Sequence, residues 1–331
     1  MKGILKTIRH GEWWDYKLPP ILALGYATNF YSETPLYKTA LWLLFLLVSV
    51  FVGAAYVSFI NDITDIEVDA LSGKHNRMSN IPRRIRWIFP AICIVAGLFF
   101  EYVFYPDVLS MVLYLLPWVS FSLYSCPPFR LKEKGVWGLF ADACGSHVFV
   151  SLLMVSSVAH FTHQRIDWVW FAAVGIWSIA YGLRGILTHQ FEDKENDIKV
   201  RLNTYVAQSG TKNFSLIQTV ILSAEFSALA MILIRIGQPF PFLFLLLYFL
   251  FLFARRKLFG YQVVPIITPA GKPFQILLAD YYQFFFPLAL LVGAMTADAR
   301  NIIVFVIHIM LFPQKVILLL KETKWSLQRL R

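Results

Sequence analysis

The chain has 331 residues, of which 58% are hydrophobic and only 15% charged. A soluble domain of this size carries about a quarter charged residues, so the composition excludes an ordinary soluble enzyme and reads as a polytopic membrane protein. The net charge of +10 would suit nucleic acid if it formed one patch, but the basic residues are dealt out among alternate loops, and no nucleic-acid partner is expected.

A helix needs about 20 apolar residues to cross the hydrocarbon core. Candidate stretches run over 18–32, 38–60, 85–104, 107–124, 136–160, 167–190, 213–235, 238–254, 276–297 and 301–320. The expected fold is all-α: a single membrane domain over 1–331, built as a polytopic helix bundle of nine or ten transmembrane helices. The first stretch carries Pro19 and Pro20, and the last is interrupted by Pro313 and Lys315. No cleavable leader is expected, because the first 17 residues are polar and basic. Cys93, Cys126 and Cys144 form neither a disulfide framework nor a CxxC metal pattern.

Charge sets the orientation. Lys2, Lys6, Arg9 and Lys17 precede the first stretch; Lys74, Arg77, Arg83, Arg84 and Arg86 follow the second. Arg130, Lys132 and Lys134 follow the fourth; Lys194, Lys199, Arg201 and Lys212 the sixth; Arg255, Arg256, Lys257 and Lys272 the eighth. Of the intervening loops, four hold a lone basic residue (Lys38, Arg165, Arg235 and Arg300), and the one between the third and fourth stretches holds none. Basic loops face the cytoplasm. The basic tail, with Lys321, Lys324, Arg329 and Arg331, prefers the same side, so the last stretch is expected either as a tenth crossing or as a helix lying along the interface.

The second stretch ends in NDITDIEVD. On a helix Asn61, Asp65 and Asp69 share a face, with Asp62 a fraction of a turn away. Carboxylates on one face repel unless a cation sits between them. Hard oxygen ligands at the mouth of an apolar helix suit Mg²⁺, which takes its remaining ligands from water and from substrate phosphates. The plain alternative is a solvated acidic helix end. After the sixth stretch, HQFEDKENDIK places His189, Asp193 and Asp197 four residues apart again. Each motif closes an even-numbered stretch, consistent with a weak two-half repeat over about 18–124 and 136–254.

The two motifs and the loop between them carry a resemblance. The chain resembles the UbiA-type intramembrane prenyltransferases, whose first motif reads NDxxDxxxD and whose second is DxxxD followed by Gly and Thr. Asp193, Asp197 and Thr204 are in register, but Arg201 stands where that family usually has Gly. The linking run from Tyr124 and Ser125 through Pro127, Pro128, Arg130 and Lys132 is similar to the family's YSxPPxRLK loop.

The resemblance implies a bundle of usually nine crossings, Mg²⁺ as cofactor, and a prenyl diphosphate whose allylic cation alkylates an acceptor. On that reading Asn61, Asp62, Asp65, Asp69, Asp193 and Asp197 hold the metal, and Asp65, Asp193 and His189 are the catalytic residues. Lys74, Arg77, Tyr124, Ser125, Arg130, Lys132, Arg184 and Lys199 are the expected diphosphate contacts, although any cytoplasmic loop is basic in its own right. His189 is placed to pair with a carboxylate or to take a proton from the alkylated acceptor, unless it is an ordinary structural histidine.

Charges inside membrane helices are expensive and mark function or packing. Asp142 and Arg184 lie at similar depth on consecutive helices and are expected to meet. They would form either a buried structural pair or a diphosphate-binding arginine held by an aspartate. Glu225 and Asp280 are weaker candidates, Asp280 as a border of an acceptor pocket. The alternatives to transfer are a terpene cyclase of the same superfamily and, from another class, a transporter. The motifs leave the acceptor, the prenyl length and the oligomeric state open; membrane lipid is the surrounding partner.

Overall fold

The computed structural model describes residues 10–200, 202–209, 214–269, 271 and 273–329. Arg201, Lys212 and Lys272, with Lys2, Lys6, Arg9 and Arg331, lie outside the described residues. Helices dominate. They are α1 (His10–Asn29), α2 (Leu36–Thr64), α3 (Ile66–Ser72), α4 (Arg83–Phe104), α5 (Val108–Ser125) and α6 (Val136–Phe161). There follow α7 (Trp168–Lys199), α8 (Phe214–Ile236), α9 (Pro239–Phe259), α10 (Tyr281–Ala297), α11 (Ile302–Leu311) and α12 (Pro313–Arg329).

Six of these, α2 and α4 to α8, are long and apolar enough to cross a membrane, or seven spans if the bent pair α11–α12 counts as one. The expected count of nine or ten therefore rests on helices that fall short of that length or apolarity. The last stretch does not form a straight tenth crossing. The chain breaks before Pro313 and bends by 79°, because proline lacks the N–H that would continue the helix and clashes with the preceding turn. At ten residues α11 reaches roughly 15 Å, half of a ~30 Å hydrocarbon core.

Little sheet is present. Between α9 and α10 a short parallel pair, β1 (Gln262–Val264) and β2 (Phe274–Ile276), aligns Gln262 with Phe274 and Val264 with Ile276. Its continuation matters more than its size. The Leu277 N–H donates to Val264 O at 2.9 Å, which leaves the Leu277 carbonyl aimed at α7.

There it meets Arg184, which is 1% exposed. Arg184 Nη1 donates to Leu277 O at 2.5 Å and Nη2 to Glu225 Oε1 of α8 at 2.8 Å. The Tyr282 hydroxyl donates to the same Glu225 oxygen at 2.8 Å. The expected Arg184–Asp142 pair does not form. A buried guanidinium takes the carboxylate that is equally buried, and Glu225 is 0% exposed. Asp142 instead faces a cavity on α6 beside Ser146, whose hydroxyl lies 3.4 Å from its Oδ2. Arg184 thus links α7 to Glu225 of α8 and to the Leu277 carbonyl before α10, away from Asp142. Asp280 is corrected too: Arg255 Nη1 reaches it at 2.5 Å and Lys315 Nζ at 2.8 Å, in a buried cluster with Glu322.

Removing one partner of a fully buried pair leaves an uncompensated charge. Arg184→Ala is expected to cost about 3–5 kcal/mol, and Arg184→Gln with Glu225→Gln to recover most of it. Thermal melts in detergent read both; an Asp142→Asn partner should rescue nothing.

Candidate active site

Motif one sits on a broken helix. α2 ends at Thr64, Asp65 has φ −105° and ψ 5°, and α3 begins at Ile66. The four-residue spacing survives the break, since Asp65 N donates to Asn61 O at 3.0 Å and Asp69 N to Asp65 O at 2.8 Å. Motif two lies on continuous helix, because α7 runs through to Lys199. Its expected shared face for His189, Asp193 and Asp197 holds.

Three loops close over these carboxylates. Gly73 ends α3 in the left-handed region at φ +73°, where an L side chain is strained, and turns the chain back over the motif. That reversal brings Lys74 Nζ to 3.0 Å from Asp193 Oδ2 and Arg77 Nη1 to 3.8 Å from Asp62 Oδ2. From the second loop, Arg130 Nη2 lies 3.0 Å from Asp65 Oδ1, and Lys132 pairs with the same oxygen. Arg130 adopts φ +40°, which costs an L-residue about 1–2 kcal/mol. Its guanidinium offsets this by bonding the Thr64 carbonyl, Asp65 and Glu133. The third loop joins the second through Gly135 N to Asn203 O at 3.3 Å, and Thr204 donates to Asp197 Oδ2 at 2.9 Å.

Lys132 is 7% exposed, and burial pushes its ammonium below the ordinary lysine value against the opposing pull of Asp65. Ser125, fully buried, donates to Asn61 Oδ1, so the neutral motif residue is oriented by the last residue of α5. His189 Nε2 stands 3.8 Å from Asp193 Oδ2 and its side chain is 64% exposed, an ion pair only when the ring is protonated. Lys199 is exposed at the end of α7 and has no ion pair among the described residues; of the expected basic contacts it and Arg184 stay away from the carboxylates.

Sequence reasoning missed Asn76. It is 5% exposed, and its Nδ2 donates both to Asp62 O at 2.8 Å and to Asp69 Oδ2 at 2.7 Å. It ties the two sides of the helix break together and fixes one oxygen of Asp69. A polar residue seven positions after Asp69 in a polar loop gave no periodic signal to find it by.

Beneath the carboxylates lies a cavity of about 590 Å³. Its mouth is Asn61 and His189; its body is Val50, Gly53, Val57, Phe121 and Val150, and Tyr114, Pro117 and Trp118 also border it. Gly97 lets the Trp118 ring settle there, since a Cβ would meet that ring at 2.8 Å. On the α6 side the helix loosens into a π-turn over Cys144–Val148, and Ser146 and His147 face the cavity with Asp142. π-Turns are frequent at functional sites. His147 packs edge-on against Tyr181 at 5.1 Å. Lys17 and Trp13 of α1 face the same space.

A family model described as UbiA prenyltransferase family matches residues 18–264, most of the chain. The chain belongs to that family. Among curated proteins no sequence matches. Solved structures share the fold: a UbiA homolog from Archaeoglobus fulgidus bound to GPP and Mg²⁺ aligns at 14% identity and TM-score 0.58, covering 89% of this chain and 98% of that one. The same homolog bound to DMAPP and Mg²⁺ aligns at 15% identity and TM-score 0.52, over 88% and 99%. A digeranylgeranylglyceryl phosphate synthase aligns at 19% and TM-score 0.58, over 89% and 98%.

The donor set of this UbiA-family site is all hard oxygen, the chemistry Mg²⁺ prefers. Yet among the described residues no three Asp, Glu, His or Cys side chains stand close enough to hold a metal by themselves. Mg²⁺ commonly takes one or two carboxylates and completes its shell with water and phosphate, so the residues fit a metal that arrives with phosphate ligands.

Two outcomes check this architecture. Cysteines at Ser79 and Gln208 should be labelled from one side of the membrane, and one at Arg165 from the other. Asn76→Ala should lower stability by about 1–3 kcal/mol by stripping the Asp62 backbone carbonyl and the half-buried Asp69 carboxylate of their amide donor, whereas Asn80→Ala, at an exposed position, should be near neutral in the same melt.

Proposed function

We propose that this UbiA-family protein transfers an isoprenoid group from a prenyl diphosphate to a small aromatic or lipid acceptor within the membrane, with Mg²⁺ at the head-group site. One observation carries the reading: a largely apolar cavity inside the bundle reaches Asn61 of motif one and His189 of motif two, next to the five aspartates and four basic side chains gathered around those motifs. That shape suits a hydrocarbon tail with an anionic head. The GPP, DMAPP and Mg²⁺ bound by the Archaeoglobus fulgidus homolog support it. The rim faces the cytoplasm, as the alternation of basic loops requires.

The roles follow from position. Asp62, Asp65, Asp69, Asp193 and Asp197 would hold the metal, with Asn61 as neutral ligand or orienter. Bound Mg²⁺ supplies Lewis-acid stabilisation of the charge that develops on the leaving diphosphate. Lys74, Arg77, Arg130 and Lys132 bind diphosphate oxygens, the arginines as forks and the lysines as point charges. The rings of Trp118, Phe121 and Tyr124 keep the allylic cation in a dry aromatic setting. Asp142, Ser146 and His147 form the polar wall available to an acceptor, and His147 or His189 is placed to take its proton. That wall favours transfer over internal cyclisation, which needs no second polar partner. Concentration of the polar groups at one rim speaks against a transporter.

Asp65→Ala and Asp193→Ala should each reduce turnover of a prenyl diphosphate by about 10²–10³-fold while the fold persists, and EDTA should abolish it; full activity in either variant would sink the two-motif mechanism. Diphosphate release should be slow with a prenyl diphosphate alone and rise when membrane extract supplies an acceptor. A cyclic terpene formed at full rate without acceptor would replace transfer by cyclisation and leave the metal chemistry intact.

A further inference from the structure

The cavity beneath the motifs has a depth that two helices give independently. Asn61 marks its mouth, and Gly53 and Ser49 of the same helix α2 also face it. They lie eight and twelve residues before Asn61, which at the helical rise puts them about 12 Å and about 18 Å below the mouth. On α5 the last residue, Ser125, bonds Asn61. Tyr114, eleven residues earlier, faces the deep end at about 16 Å.

That deep end is closed. The Tyr114 hydroxyl donates to Ser49 O at 3.3 Å and staples α5 to α2 across the floor; the two residues are 3% and 0% exposed. Behind the staple the bundle is filled with rings. Tyr114 packs against Phe104 at 5.2 Å and Phe100 at 6.4 Å, and Phe104 against Phe45 at 5.8 Å. Trp42 stacks on Phe45 at 4.8 Å and on Phe161 at 5.1 Å.

We infer that this floor sets the length of the prenyl chain: the cavity takes prenyl diphosphates of two or three isoprene units, C10 and C15, and discriminates against C20 and longer tails. This rests on the prenyl diphosphate reading above and deepens it by naming the length class of the donor.

Length decides the matter. Four chain bonds of about 1.5 Å carry each extended isoprene unit roughly 5 Å forward. With the first carbon at Asn61, two units end near Gly53, and three end about 15 Å down, just short of Tyr114. A fourth would end roughly 20 Å down, inside the ring cluster. Close-packed rings do not part cheaply for five more carbons. A C20 tail would have to fold back on itself, and an acceptor against Asp142 and Ser146 competes for the same space of about 590 Å³.

Gly53 marks the point where the third unit must pass. A Cβ there would meet the Trp118 ring at 3.8 Å, an ordinary van der Waals contact. The helix therefore accepts a side chain at this position, and what it loses is room in the cavity.

Binding tests this without any acceptor. Unreactive prenyl thiolodiphosphates of C10, C15, C20 and C30, with Mg²⁺, compete against the radiolabelled C10 analogue for the full chain in lipid nanodiscs, and inorganic pyrophosphate is the tail-less control. Wild type should prefer C15 over C20 by at least about tenfold, the scale on which an apolar pocket discriminates by size. Gly53→Val should move the cut-off up by one unit and lower the C15-to-C10 affinity ratio by about tenfold or more. Tyr114→Ala should open the floor and raise the C20-to-C15 ratio by about the same factor. Each variant is compared with wild type at the same chain length, so partitioning of the tails into the bilayer cancels. If Tyr114→Ala does not fold, Gly53→Val decides alone. Equal affinity of wild type for C15, C20 and C30, or an unchanged C15-to-C10 ratio in Gly53→Val, overturns the floor and leaves the prenyl diphosphate reading standing. Prenyl analogues that bind no more tightly than inorganic pyrophosphate overturn both.

Discussion

The arrangement depends on one electrostatic constraint: five aspartates crowd the end of an apolar bundle, where their mutual repulsion is poorly screened. Two elementary charges 4 Å apart interact by about 4 kcal/mol at an effective dielectric of 20. The bundle end therefore needs counter-charges, and two loops supply them while a third adds the Thr204 hydroxyl. Gly73 turns the first loop back so that Lys74 and Arg77 reach both motifs, the strained Arg130 anchors the second, and Gly135 and Asn203 join the second to the third. Folding of the loops and assembly of the site are the same event, because the groups that order the loops are the groups that neutralise the aspartates.

Below that rim the problem changes from charge to space. A bundle of long apolar helices packs shut unless something holds it open, and here the opening rests on local departures from ideal helix. The π-turn at Cys144–Val148 swings Ser146 and His147 toward the cavity, and Gly145 lets the Phe121 ring come within 2.7 Å of where a Cβ would stand. Gly97 does the same for Trp118. The aromatic rings that line the space are thus fixed by packing on their far sides, which gives the cavity a defined shape.

The helical class and both acidic motifs were legible in the sequence because each has a period: long apolar runs for the helices, steps of four for the carboxylates. The YSxPPxRLK-like loop was legible as well, and Arg130 and Lys132 do reach Asp65. What was not legible depends on three-dimensional neighbours. Arg184 and Asp142 sit at matching depth, yet Arg184 turns to Glu225, because rotation about the helix axis decides partners and depth alone does not. Asn76 acts through two hydrogen bonds made across a helix break that no periodicity marks. The tenth stretch was legible as interrupted at Pro313 and Lys315, but hydropathy gives no angle, and the chain bends there by 79°.

That bend has a structural consequence beyond the family match, which ends at residue 264. Turning at Pro313 lays α12 against the loop before α10, where Lys315 meets Asp280, and Arg255 bonds both Asp280 and Glu322. Such a cluster contributes orientation more than net stability, since desolvation offsets most of its Coulomb gain. Its reach extends to α1: the Lys315 ammonium stands 5.1 Å from the centre of the Tyr16 ring, and Trp14 Nε1 donates to Leu311 O at 2.8 Å. Tyr16 and Trp14 flank Trp13 and Lys17, which face the cavity. A helix interrupted by two prolines would be a weak wall by itself. Braced from behind by the α11–α12 corner, α1 keeps its cavity-facing side chains in place, so the charged C-terminal cluster and the apolar chamber are parts of one mechanical unit.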